Sequence, residues 1–102
     1  MALLNPDELS TALAGLDGWR RIDSELVAVV EAPSFQAAVA LVVRIAFEAE
    51  SMNHHPDIAV NYRRVTLRLS THSEGGITTK DVTLAHVVQA IVNEGCRFES
   101  GG

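Results

Sequence analysis

The sequence has little of several features that define other classes of protein. Cys96 is the only cysteine among 102 residues, so no disulfide can form within the chain. Lysine and arginine together number 8 against 13 aspartates and glutamates, which gives a formal net charge of -5. Binding to a phosphate backbone needs clustered cations, and these are scattered along the chain. The charge therefore argues against direct binding to nucleic acid.

The chain also lacks an apolar run long enough to cross a bilayer. A spanning helix needs about 20 apolar residues, and Arg44, Glu48 and Glu50 interrupt the longest run. The N-terminus lacks the basic patch and apolar run of a secretory signal. We therefore expect no contact with a membrane and a cytoplasmic location.

The residues that are present predict one folded domain over residues 1–102. Hydrophobic residues make up 47% and charged residues 21%, as in globular proteins, and the length allows only one core. The pattern predicts a helix, two strands, a helix, two strands and a helix, in the order α-β-β-α-β-β-α. This order favours an α+β fold, a four-stranded antiparallel sheet with three helices packed on one face.

Capping residues and periodicity give the expected bounds of these elements. Asn5 and Glu8 form the capping pattern of the first helix, which Gly18 should end. Ser34 and Thr78 are expected to cap the second and third helices. The predicted strands cover residues 19–22, 26–30, 58–62 and 65–70, the long helix covers 35–52, the last helix ends near 95, and residues 99–102 are expected to fray.

The long helix is apolar on more than one side. Leu41 and Ile45 lie on one face, and the other face carries Phe35, Val39, Val42 and Ala46. A helix with two apolar faces needs two partners, because small monomers seldom expose a broad apolar patch. We expect the sheet to cover one face and a second subunit to cover the other.

Three of the four histidines lie near acidic residues, at His54, His55 and His72, with Glu50 and Asp81 around them. Proline holds the residue before it in an extended conformation, so Pro56 keeps His55 out of the preceding helix. Neighbouring side chains of an extended segment point to opposite sides. His54 and His55 should therefore have different tasks.

These residues resemble the signature of the pterin-4a-carbinolamine dehydratase family. That signature is an acidic residue, three spacers, His-His-Pro, an aromatic residue, a later histidine and a later aspartate. The matching positions here are Glu50, His54, His55, Pro56, Tyr62, His72 and Asp81. The likeness covers residues 19–91 and includes the Leu-Ser-Thr-His run that ends at His72.

The resemblance implies an enzyme, 4a-hydroxytetrahydrobiopterin dehydratase, a hydro-lyase that converts 4a-hydroxytetrahydropterin to quinonoid dihydropterin and water. This reaction recycles the pterin of an aromatic amino acid hydroxylase. Members of the family use no metal or organic cofactor and form homodimers or homotetramers. The 4a-hydroxyl must be protonated and the N5 proton must be lost, and imidazole can perform either transfer near neutral pH.

The resemblance also implies roles for the site residues. His54 and His72 would be the general acid and base, and His55 would hold the pterin ring. Glu50 and Asp81 would bind or orient the substrate, and Asp81 could also fix the tautomer of one imidazole. Tyr62 and Trp19 are interpreted as structural, His86 receives no role, and Cys96 is expected to be an inert thiol.

Other interpretations of the same residues remain open. His54 could simply lie at a helix C-terminus and Asp81 in the first turn of a helix, where the dipole favours each charge. His72 could be an exposed residue at a strand end. A zinc site is disfavoured, because adjacent histidines that point apart chelate poorly. The alternative function is a non-enzymatic, coactivator-like module that binds or dimerises proteins.

Overall fold

A computed structural model describes residues 2–99 of the chain. Its elements are helix α1 (Pro6–Ala14), strands β1 (Trp19–Ile22) and β2 (Glu25–Glu31), helix α2 (Phe35–Met52), strands β3 (Asp57–Asn61) and β4 (Arg64–Leu69), a 3-10 turn (His72–Glu74), helix α3 (Thr79–Val92) and strand β5 (Arg97–Phe98). The sheet is antiparallel with the order β1-β2-β4-β3, and β5 also pairs with β2. The predicted α+β class and antiparallel sheet are confirmed.

The predicted sheet of four strands is wrong by one strand, because β5 makes a fifth. The first half of β2 pairs with β1, and its second half pairs with β5 through Val30 and Phe98. Phe98 also packs on Trp19, with 6.4 Å between ring centroids. A side chain at Gly18 would meet the Phe98 ring at 2.2 Å, so this glycine leaves the space that Phe98 fills.

The predicted helix starts are found, and two helix ends differ. Asn5 and Glu8 form the expected reciprocal cap of α1, which ends at Ala14, before the predicted stop at Gly18. Helix α2 has the predicted bounds, whereas α3 ends at Val92 rather than near residue 95. Of the tail that was expected to fray, Glu99 donates its N–H to the Val29 carbonyl. Residues 100–102 lie outside the described residues.

The core lies between one face of the sheet and the helices. Alternate residues of the two central strands are almost completely buried and point to this side, namely Leu26, Ala28, Val30, Val65, Leu67 and Leu69. Helix α2 contributes Leu41 and Ile45, and α3 contributes Leu84 and Val88. An ion pair between Arg44 and Glu94 connects α2 to the turn that follows α3, and the guanidinium lowers the pKa of the Glu94 carboxyl.

One side of α2 is exposed and apolar in this single chain. The side chains along it are Phe35 (54% exposed), Val39 (42%), Val43 (49%) and Phe47 (74%). The predicted stripe also contained Val42 and Ala46: Ala46 is exposed as predicted, whereas Val42 is partly buried. Residues four apart advance about 40° beyond a full turn, so the exposed row is slanted along the helix. Within residues 2–99, no helix is both long and apolar enough to span a bilayer.

Candidate active site

The end of helix α2 determines where the first two histidines lie. Asn53 adopts the left-handed conformation at φ 50 and donates its N–H to the Glu50 carbonyl, while His54 N–H donates to the Ala49 carbonyl. These two bonds form a Schellman motif, which reverses the chain direction at the helix end. Pro56 then leads into β3. His54 is left 8% exposed, turned toward the start of α3.

His54 is bonded to Asp81, 27 positions further along the chain, with 2.5 Å between Nε2 and Oδ1. Asp81 is fully buried in the first turn of α3. Its other oxygen, Oδ2, accepts the N–H of Thr78 at 2.9 Å, as part of a capping box. Asp81 therefore both caps the helix and holds an imidazole.

The hydroxyl of Thr71 completes the surroundings of this carboxylate. Thr71 Oγ1 donates to Asp81 Oδ2 at 2.8 Å and lies 2.7 Å from Thr78 Oγ1. Asp81 thus receives three hydrogen bonds, which offset the cost of burying a charge. Sequence reasoning identified Thr78 only as a cap and missed Thr71, whose position just before His72 was the available signal.

The hydrogen bond to Asp81 assigns the tautomer of His54. An ionised carboxylate can only accept hydrogen bonds, so Nε2 of His54 must carry the hydrogen. Nδ1 is then the ring nitrogen that can take up or release a proton. No hydrogen bond engages Nδ1 among residues 2–99.

His55 has a different environment. Its Nε2 lies 2.8 Å from Glu50 Oε1, and the two side chains are 57% and 80% exposed. Exposed ion pairs contribute little to stability. The difference between His54 and His55 agrees with the prediction that they do not share a task, although the tasks themselves remain predictions.

The three histidines share one cleft of about 250 Å³. His72 opens the 3-10 turn and is exposed. The other lining residues are Asn53, Ser70, Thr71, Ser73 and Lys80. None of these five was predicted from the sequence as a site residue. Of the remaining predicted residues, Glu50 contacts His55, and Asp81 lies buried behind His54.

Size alone would not select this cleft. A hollow of about 540 Å³ lies between α1 and α3, but no histidine or cysteine lines it. Of these two hollows, the smaller one combines several groups that can transfer protons with a buried carboxylate that orients one of them. We therefore take the histidine cleft as the candidate site.

Four residues considered in the sequence lie outside the cleft. Tyr62 is 70% exposed in the β3–β4 turn, at the other end of that hairpin, and Trp19 is buried in the core. His86 is an exposed residue of α3. Cys96 is partly buried, and burial raises the pKa of its thiol, which favours the unreactive form. Within residues 2–99, no group of three or more His, Cys, Asp or Glu side chains is placed to hold a metal ion.

Comparison with known proteins identifies the family. The family model for pterin 4 alpha carbinolamine dehydratase matches residues 2–91. Proteins of Mycobacteroides abscessus and Roseiflexus castenholzii, both named "Putative pterin-4-alpha-carbinolamine dehydratase", are 51% and 47% identical to this chain. The first match covers 86% of this chain and 94% of the relative, and the second covers 89% and 98%.

A solved structure is also similar over most of the chain. The transcriptional coactivator/pterin dehydratase of Brucella melitensis superimposes with a TM-score of 0.84 at 34% identity. The superposition covers 87% of this chain and 97% of that one. The family match also includes α1, which precedes the stretch from which the signature was recognised. The chain therefore belongs to the pterin-4α-carbinolamine dehydratase family.

Proposed function

We propose that this protein dehydrates 4a-hydroxytetrahydropterin to quinonoid dihydropterin. The observation that carries the proposal is that three histidines line one cleft in a chain of this family, one of them bonded to a buried carboxylate. In the reaction the C4a–O bond breaks, the hydroxyl leaves as water with one added proton, and N5 loses one proton. The step is redox-neutral, and protons are all that the enzyme has to transfer, so it requires neither a metal nor an organic cofactor.

The environments of the histidines support a division of roles. His54 exchanges a proton through Nδ1, because Asp81 engages Nε2 and holds the ring in place. His72, which lines the same cleft, is the second acid/base group. His55 is held by Glu50 and binds the pterin ring. Because acid and base act together, the proton count of the enzyme is unchanged after each turnover.

The test is a spectroscopic assay of quinonoid dihydropterin formation from the carbinolamine. We expect kcat of His54→Ala and of His72→Ala to fall about 10²- to 10⁴-fold, the usual contribution of a positioned acid or base. His55→Ala should mainly raise KM. His86→Ala is the matched control, since this exposed histidine lies outside the cleft. Wild-type protein that does not exceed the spontaneous rate would refute the proposal, as would unchanged kinetics in all three cleft variants.

A homo-oligomer, dimer or tetramer, is part of the same proposal. The exposed row of Phe35, Val39, Val43 and Phe47 supports it, because a second copy of the chain offers the same apolar surface. The pterin would come from an aromatic amino acid hydroxylase, and the cytoplasmic location stays a prediction from the sequence.

A second candidate function is a non-enzymatic module that binds or dimerises proteins. The exposed row on α2 favours it, and the Brucella melitensis neighbour carries both the coactivator and the dehydratase names. The carbinolamine assay separates the two functions. A folded oligomer without turnover would favour the binding module, whereas turnover that depends on His54 and His72 would favour the enzyme.

A further inference from the structure

The hydrogen bonds around Asp81 all point toward its carboxylate. Thr71 has one hydroxyl hydrogen, and the ionised carboxylate can only accept, so Thr71 donates to Asp81 Oδ2. The hydroxyl of Thr78 must then donate to Thr71 Oγ1, 2.7 Å away. Thr78 Oγ1 itself accepts the N–H of Lys80 at 3.3 Å. The chain of donors therefore runs in one direction, from the start of α3 to the carboxylate.

This arrangement treats the two carboxylate oxygens differently. Within the described residues 2–99, Oδ2 receives the Thr71 hydroxyl and the Thr78 N–H, and Oδ1 receives only His54. Hydrogen bonds linked in one direction polarise and strengthen one another where water is excluded. Thr71 and Thr78 are both buried, at 7% and 0% exposure. The carboxylate is thus held in one orientation, with Oδ1 presented to the imidazole.

We infer that Thr71 and Thr78 are positioning residues that hold the Asp81 carboxylate in the orientation that presents Oδ1 to the Nε2–H of His54. This inference rests on the proposed function for its kinetic consequences, since only then does Nδ1 serve as the working nitrogen. Its structural part concerns only how the Asp81 carboxylate meets the His54 imidazole, which can be measured without any turnover. The threonines act through Asp81 and His54 and do not themselves exchange protons with the substrate.

The sharpest test is Asp81→Asn, followed by ¹⁵N NMR of the histidine rings. The Thr78 N–H can only donate, so it requires the amide oxygen of the new side chain at the Oδ2 position. The amide NH₂ then faces His54 and forces Nε2 to accept. We expect the protonated nitrogen of neutral His54 to change from Nε2 in the wild type to Nδ1 in the variant. An imidazole that keeps its hydrogen on Nε2 in this variant would overturn the inference.

The second test compares Thr71→Val with Thr71→Ser. Valine keeps the volume of Thr71 but donates nothing, whereas serine keeps the hydroxyl. In Thr71→Val we expect the low-field Nε2–H proton signal of His54 to move upfield, because the carboxylate turns and its contact with Nε2 lengthens. A downfield shift would mean that the carboxylate stayed in place and became the stronger acceptor, which would overturn the inference. We expect kcat to fall about 10- to 100-fold, as when the outer partners of metal-bound histidines are lost. KM should stay within about twofold of the wild type, because the threonine hydroxyl is engaged by Asp81 and not by the substrate. Thr71→Ser should restore both the signal and kcat.

The two readouts separate failure of this inference from failure of the proposed function. If wild-type protein shows no turnover, the function fails, but the NMR signals still decide whether the threonines orient His54. If Thr71→Val leaves the His54 proton signal unchanged, the inference is overturned whatever the activity. Should Asp81→Asn not fold because its cap is lost, the Thr71 pair alone decides in the same way.

Discussion

The two adjacent histidines differ in what holds them, and this difference assigns them to different parts of a reaction. His54 is buried against a carboxylate that is itself fully bonded, so its orientation is fixed before any ligand arrives. His55 is paired with Glu50 on the surface, where water competes for both groups. A fixed imidazole suits proton transfer, which needs accurate geometry. An exposed imidazole that a surface carboxylate holds is accessible for contact with a ligand.

This difference predicts how Glu50→Ala will behave. The free energy of unfolding should change by less than about 0.5 kcal/mol, because the pair is exposed. KM for the carbinolamine should rise, because His55 is no longer held in place, while kcat changes little. Glu48→Ala is the matched control, since it removes the same charge from an exposed position on the same helix. Urea denaturation and steady-state kinetics check both effects.

Two results of these measurements would contradict the assignment of His55 to ligand binding. An equal change of KM in Glu48→Ala would mean that the charge of the helix end matters rather than the contact with His55. A fall in kcat with KM unchanged would place His55 in the proton transfer itself.

At the level of single residues, the sequence predicted which acidic residues and histidines belong to the candidate site, but not which of them pair. His54, His55, His72, Glu50 and Asp81 were selected from their spacing. Which imidazole Asp81 contacts depends on how the start of α3 packs beside the end of α2, and spacing carries no information on that. The hydroxyl of Thr71 was missed because threonine is common in strands and its role here exists only through contacts with α3.

The end of α2 is the element that brings His54 to Asp81, and it depends on one residue with a positive φ. Asn53 sits at φ 50, a conformation that asparagine and glycine tolerate better than residues with an ordinary Cβ. Asn53→Ala should lower the free energy of unfolding by about 1 kcal/mol, because alanine is strained in this region. It should also lower kcat, because a shifted helix end moves His54 away from Asp81.

Asn53→Gly is the control for this prediction. Both variants remove the carboxamide that lines the cleft, so a difference between them reports the backbone conformation alone. We expect Asn53→Gly to retain stability within about 0.5 kcal/mol and to retain more activity than Asn53→Ala. Equal loss of activity in the two variants would instead assign the effect to the missing side chain.

Elements with strong local signals were predicted well, and the element without one was missed. Helix α2 has a serine cap and a long apolar pattern, and its predicted bounds agree with the structure. Strand β5 has two residues, too few to show alternation, and it forms because Phe98 packs on Trp19 beside Gly18. The β3–β4 turn shifted by one residue because Tyr62 takes a positive φ, which is uncommon for a bulky side chain.

At the scale of the whole molecule, the described part of the chain leaves an apolar side of α2 uncovered. The sheet covers one side of α2, where Leu41 and Ile45 belong to the core. The opposite side carries Phe35, Val39, Val43 and Phe47 over residues 35–47, about 18 Å of helix at 1.5 Å per residue. Side chains of this size exposed in a continuous row are typical of an interface. A symmetric pair of chains would bury the same row on both copies.

Sedimentation at micromolar concentration tests whether this row joins copies of the chain. We expect the wild type to sediment as a multiple of 11.0 kDa, and Phe47→Asp to form a smaller species, because a buried carboxylate without a partner opposes association. Tyr62→Asp is the matched control, since Tyr62 is 70% exposed against 74% for Phe47 but lies in the β3–β4 turn. The control should sediment as the wild type does. A wild-type monomer would contradict the oligomer, and an unchanged Phe47→Asp assembly would place the interface on another surface.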